Sequence, residues 1–214
     1  MLVLAAACNQ STKQEPDKAA NAQSDTLKQP DAAGEQAPAR PQDDLMVPGE
    51  KLGKLSLNTD VEMITAILGK PDSSDAAMGK AWLTWFGRQE TAPVSELNVY
   101  TTYKDRSLTT KTVQLIRTTS PQFRTGDGIG VQSLLTAIGK SFSTLHYVAS
   151  YKNNRSGKSM SLYEAVGQGI GFEISQEDNK QQCTAVMIFD KGSNLLQSYQ
   201  TFLNANGWEK QTSR

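Results

Sequence analysis

Few side chains in this sequence have the type and spacing that chemistry needs. Two cysteines, Cys8 and Cys183, and a single histidine, His146, are its whole stock of thiols and imidazoles. A structural zinc site wants four Cys or His ligands, more than these three residues supply. His146 has no serine or cysteine at a spacing that marks a catalytic partner, so an imidazole mechanism would rest on it alone. A surface or strand-end position is the simpler reading. Cys183 opens the apolar run Cys183–Phe189 and reads as a small buried hydrophobe. Gly139-Lys140-Ser141 and Gly157-Lys158-Ser159 invite a phosphate-loop reading, but that motif needs a glycine where Leu134 and Lys152 stand. Gly126-Asp127-Gly128-Ile129-Gly130 and Gly167-Gln168-Gly169-Ile170-Gly171 are too compact for a dinucleotide fingerprint and read as tight turns. The acidic pairs Asp72 with Asp75 and Glu177 with Asp178 fall where turns are expected and lack calcium-loop spacing. The sequence therefore predicts no metal, no cofactor and no catalytic residue.

The one position with a chemical address is Cys8. Leu2-Val3-Leu4-Ala5-Ala6-Ala7-Cys8-Asn9 is an apolar run, then small residues, then a cysteine. It resembles the lipobox of bacterial lipoproteins, with Ala5 where that family favours leucine. The resemblance implies that residues 1–8 are the end of a signal peptide with its lipobox and that Cys8 carries lipid. The protein would then be lipid-anchored in the cell envelope. In a host with two membranes, Asn9 fits the periplasmic face of the outer membrane.

Residues 9–44 are what such an anchor needs as a tether. They hold no aromatic residue, four prolines and one aliphatic side chain larger than alanine, Leu27. A segment that buries so little cannot offset the entropy of ordering it, so it is expected to be a disordered linker. Flexible-chain scaling gives it a reach of roughly 30–36 Å.

Basic and acidic residues balance at 22 each. The linker carries four basic and seven acidic side chains, which leaves 18 against 15 beyond it. Nucleic acid as a partner needs a basic stripe, and so small an excess does not make one. No run of eighteen apolar residues exists to span a membrane as a helix.

Beyond the linker the chain repeats itself. Met63-Ile64-Thr65-Ala66-Ile67-Leu68-Gly69-Lys70 returns as Ser133-Leu134-Leu135-Thr136-Ala137-Ile138-Gly139-Lys140. Each is a short amphipathic helix stopped by glycine, and strand-like segments follow each. Thr59 and Glu62 are spaced as a capping box before the first. Period-two alternation predicts strands at 81–86, 96–103 and 111–117, then at 147–151, 160–165, 170–175 and 183–189. The last is apolar on both faces and belongs in the centre of a sheet. Ser193 as N-cap opens a final helix through Leu203, ending at Gly207. The fold class is α+β: two tandem helix-plus-antiparallel-sheet repeats, 45–120 and 121–214, with a C-terminal helix, preceded by the disordered tether.

Leu68-Gly69-Lys70-Pro71-Asp72 in the first unit, with Gly128-Ile129-Gly130-Val131 and Ile138-Gly139-Lys140 in the second, is similar to the tandem-repeat family that includes β-lactamase inhibitory protein. It is also similar to the small lipoprotein of the outer-membrane barrel-assembly machine. Members bind other proteins through a sheet face or its loops. Alternation places Trp85, Tyr100, Ile116, Val148, Tyr163, Val186 and Ile188 opposite the residues assigned to the core. Trp85, Tyr100 and Tyr163 are thus expected to bind an envelope protein if that face is open, and to be core if the C-terminal helix covers it. The expected role is non-enzymatic protein binding or scaffolding. The alternatives are a hydrolase or transferase using His146 or Cys183, or a carrier of a small apolar ligand.

Overall fold

The computed structural model describes residues 42–87, 94–103, 109–177 and 179–212. Cys8, the linker up to Pro41, the expected turn Lys104-Asp105-Arg106 and Asp178 lie outside the described residues. After a 3-10 turn at Gln42–Asp44, β1 (Met46–Val47), β2 (Lys51–Leu52) and β3 (Leu55–Ser56) form a small antiparallel meander. Helix α1 (Val61–Leu68) leads to β4 (Ser73–Ala77), β5 (Lys80–Phe86), β6 (Glu96–Tyr103) and β7 (Lys111–Thr118). Helix α2 (Leu135–Ser141) leads to β8 (His146–Asn153), β9 (Ser159–Ala165), β10 (Ile170–Glu177) and β11 (Lys180–Phe189). Helix α3 (Leu195–Ala205) and β12 (Trp208–Lys210) close the chain.

Strands β4 to β12 make one nine-stranded antiparallel sheet in the order β12-β8-β9-β10-β11-β7-β6-β5-β4. The architecture is α+β. Two meanders, β4–β7 and β8–β11, meet where β7 pairs with β11, Arg117 lying opposite Met187. β11 is the middle strand, as its doubly apolar run predicts. Its side chains alternate between two cores: Val186 and Ile188 on one face, Met187 and Phe189 on the other.

The first face carries α1, α2 and the small meander. An eight-residue helix is marginal in water, and α1 is held by burying Ile64, as α2 is by burying Ile138. The second face carries α3, whose Leu195, Tyr199, Phe202 and Leu203 are buried. Gly171 makes this contact possible, because a Cβ there would meet the Leu195 side chain at 2.8 Å.

The backbone is the same where the chain enters α1 and α2. Asn58 and Gln132 both take positive φ, 60° and 72°. Asn58 N donates to Val113 O and Val113 N to Thr59 O, at 2.8 and 3.0 Å; Gln132 N donates to Cys183 O and Cys183 N to Ser133 O, at 2.7 and 2.9 Å.

Three local expectations are corrected. Gly139 does not stop its helix; α2 runs through it to Ser141, so the glycines of the two sequence copies hold different places. The capping box is not made: Asp60 occupies the N-cap of α1 without a side-chain bond to the helix. Asn194, not Ser193, caps α3, its Oδ1 accepting from Leu196 N at 2.9 Å. The segments β4 and β12 have no alternating pattern of their own and are strands only through their neighbours.

Candidate binding cleft beside the C-terminal helix

Simple alternation fails at three points, and the failures decide what is buried. Gln114 in β7, Val148 in β8 and Thr184 in β11 each stand as an extra residue in the ladder. A bulge of one residue moves every later side chain to the other face. Val113 therefore faces α1 while Leu115 faces α3, where alternation had them together.

The expected open aromatic face does not exist, because both sides of the sheet are packed under helices. Trp85 lies in one row with Leu97, Thr118, Val186, Phe172 and Tyr163, all on the side of α1 and α2. Trp85 is buried, and its Nε1 donates to Gly69 O at 3.1 Å, so it pins the end of α1. Tyr100 is buried on the opposite face, 5.0 Å from Trp82 between ring centroids. Tyr163 is half-buried and packs edge-on against Tyr147. Burial under the helices has taken the surface that the sequence offered to a partner.

His146 and Cys183 are not brought together. His146 sits at the start of β8 with its Nε2 3.1 Å from Glu164 Oε1. Cys183 is buried in the core on the other face, and burial pushes its thiol pKa up, the reverse of an activated nucleophile. Gly139-Lys140-Ser141 ends α2, as no phosphate loop would. Among the described residues, no group of three or more His, Cys, Asp or Glu side chains is placed to hold a metal ion.

A different surface collects polar and aromatic groups around the second half of α3. Its foundation is Arg117, buried in the middle of the sheet. Nε and Nη2 donate to the two oxygens of Glu173 at 2.8 and 3.0 Å. Nη1 donates to Asn98 Oδ1 at 2.8 Å and reaches Glu96 Oε2 at 3.2 Å. The Tyr199 hydroxyl donates to Glu173 Oε1, and the Phe202 ring lies 4.9 Å from the guanidinium. Burial alone would lower the Arg117 pKa, but Glu173, with Tyr199 and Glu96, holds it well above the ordinary value. A buried charge survives only with such full pairing.

Above this foundation Trp82 packs tilted against Phe202, 5.0 Å between ring centroids, and its Nε1 donates to Thr201 Oγ1 at 2.9 Å. Two clefts flank that link. One, about 270 Å³, is lined by Asp75, Trp82, Phe86, Glu96, Asn98 and Phe202, among others. The second, about 250 Å³, shares Asp75 and Trp82 and continues to Ala77, Met78 and Lys80. Their outer wall is β4, whose five residues Ser73–Ala77 are all exposed and small. Among the described residues, β4 is the last strand of the sheet and pairs only with β5.

Asp75, expected in a turn, is thus on a sheet edge, opposite Trp82. Alternation did put Trp82 and Phe86 on one face. What it could not supply was the helix that roofs part of that face and leaves Phe86 out, 42% exposed. Aromatic rings beside carboxylates and amides attract cations and polar backbone. Comparison with protein-family models, curated proteins and solved structures finds no match to this chain.

Proposed function

We propose that this is a cell-envelope protein anchored by lipid on Cys8 through its linker, with a non-enzymatic role in binding another protein. The observation that carries the binding reading is the edge at β4, with which no described strand other than β5 pairs. Large apolar side chains are left in water at both ends of its hairpin, Met78 fully exposed and Phe86 partly so, with the aromatic clefts between them. Such side chains beside a concave surface mark interaction sites.

The same proposal takes the folded part as two tandem α+β units. Supporting this are the matched hydrogen bonds into α1 and α2, the four-strand meander after each helix, and the bulges at Gln114 and Thr184 in the last strand of each. The anchor rests on the sequence around Cys8, since no described helix is long and apolar enough to cross a membrane.

The test is made in cells expressing the chain with its upstream frame. Wild type should fractionate with membranes, and Cys8→Ala should be released. A photo-crosslinking residue at Met78 should give a discrete adduct that the same residue at exposed Lys158 does not. Soluble wild type would end the anchor, and equal adducts from both positions would end the docking reading.

A further inference from the structure

The edge at β4 has a chemistry that narrows its partner. A two-residue hairpin closes on a hydrogen-bonded pair, here Ala77 with Lys80. Bonded pairs then alternate along β4, so Ser74 and Ala76 turn their N–H and C=O groups outward, where no described strand pairs with them. Ser73, Asp75 and Ala77 share the face that walls the clefts. None of the three carries a large side chain. A strand laid along β4 would thus have an open path across them, and a long side chain on it would reach the cleft over Trp82.

Charge selects that side chain. Among the described residues, the charged side chains lining the larger cleft are Asp75 and Glu96, both acidic. The cation beneath them, Arg117, is already committed to Glu173, Asn98 and Glu96. Asp75 has no ion pair among the described residues. Trp82, Phe86 and Phe202 add π faces to the same space, and Lys80 lines the neighbouring cleft, not this one.

Deepening the binding reading above, and resting on it, we infer that β4 accepts an extended segment of a partner protein as a tenth strand. A lysine or arginine of that segment enters the cleft between Asp75, Glu96 and the rings of Trp82 and Phe86. A second copy of this chain is a poor occupant, because antiparallel pairing centred on β4 would set Asp75 against Asp75. The hairpin turn agrees with an interaction role. Met78 and Gly79 both take positive φ, 49° and 79°, as the two central residues of a type I′ turn do. Asparagine or glycine would suit position 78 better, yet a long apolar side chain is held there in water.

The probe is a nine-residue amidated peptide, Thr-Ser-Val-Thr-Lys-Thr-Val-Ser-Thr, with versions carrying norleucine or glutamate at the centre. Binding to the full chain is followed by backbone amide NMR. The lysine peptide should shift and broaden the Ser73–Ala77 amides. Norleucine or glutamate should weaken binding by about tenfold or more. Asp75→Lys, at an exposed position, should reverse the preference toward glutamate. Ala76→Pro removes only an outward N–H, so the fold should persist while binding is lost. No binding, equal affinity for the three peptides, or binding untouched by Ala76→Pro would overturn the inference. An adduct through position 78 in cells together with any of these would leave the binding role standing and remove this mode of it.

Discussion

Arg117 and Glu173 face each other as a bidentate ion pair that ties β7 of one meander to β10 of the other. They are 7% and 4% exposed, and α3 closes over them with Tyr199 and Phe202. The pair does more to choose a structure than to stabilise one. Taking two charges out of water costs about what their attraction returns, so the net gain is small, whereas losing either partner is expensive. In the placement that α3 takes, Tyr199 bonds Glu173 while Phe202 lies over the guanidinium. The cleft wall that α3 forms goes with that placement.

Breaking the pair on one side should therefore cost far more than replacing it. Arg117→Met strands the Glu173 carboxylate and should destabilise the protein by about 3–5 kcal/mol. The double change Arg117→Met, Glu173→Leu should recover most of that loss. Urea denaturation of the two variants and the parent checks it. A single variant as stable as the double would show that the carboxylate finds water.

Two neighbouring aromatics on β5 should respond oppositely to truncation. Trp85 is buried and bonded to the end of α1, so Trp85→Ala should cost about 3–5 kcal/mol. Phe86 faces the cleft and solvent, and Phe86→Ala should change stability by no more than about 0.5 kcal/mol. Thermal or urea melts separate them. Similar losses at both positions would show that Phe86 is held more tightly than its exposure implies.

Stability should fall in alkali through Tyr199. Burial raises its phenol pKa well above the ordinary 10.0, with Glu173 adding to the rise and Arg117 opposing it. The unfolded chain releases this proton near pH 10 and the folded chain holds it. The contribution is thus fully present below about pH 10 and lost as pH climbs toward the folded-state value. Urea midpoints followed from about pH 9 to pH 11 should drop more steeply for the parent than for Tyr199→Phe. Parallel curves would mean that the hydroxyl already reaches solvent.

Much of the fold could be read locally because strands announce themselves by alternation. Seven strands fell where the pattern put them, β11 was placed centrally by its two apolar faces, and α3 was found from its stripe. These are properties of a residue and its near neighbours, carried by period and propensity alone. Sequence also determined the chemistry available: two thiols, one imidazole and a cysteine after small residues at position 8.

What it left open was everything that depends on pairing between distant segments. The bulges at Gln114, Val148 and Thr184 arise from how two strands register, so the faces of Val113 and Leu115 could not be counted off along β7 alone. Tyr100 and Trp85 lie on opposite faces because Tyr100 pairs with Trp82 and Trp85 with Leu97, a register that neither strand reveals by itself. β4, with five exposed residues and no pattern, is a strand only because β5 lies beside it. Glu96, Asn98, Arg117 and Glu173 look like separate polar positions along the chain, and Tyr199 like one more member of the stripe of the final helix. They become one network, buried except at Glu96, when β7 meets β11 and α3 folds across the sheet, because there each buried polar group replaces the water it has lost.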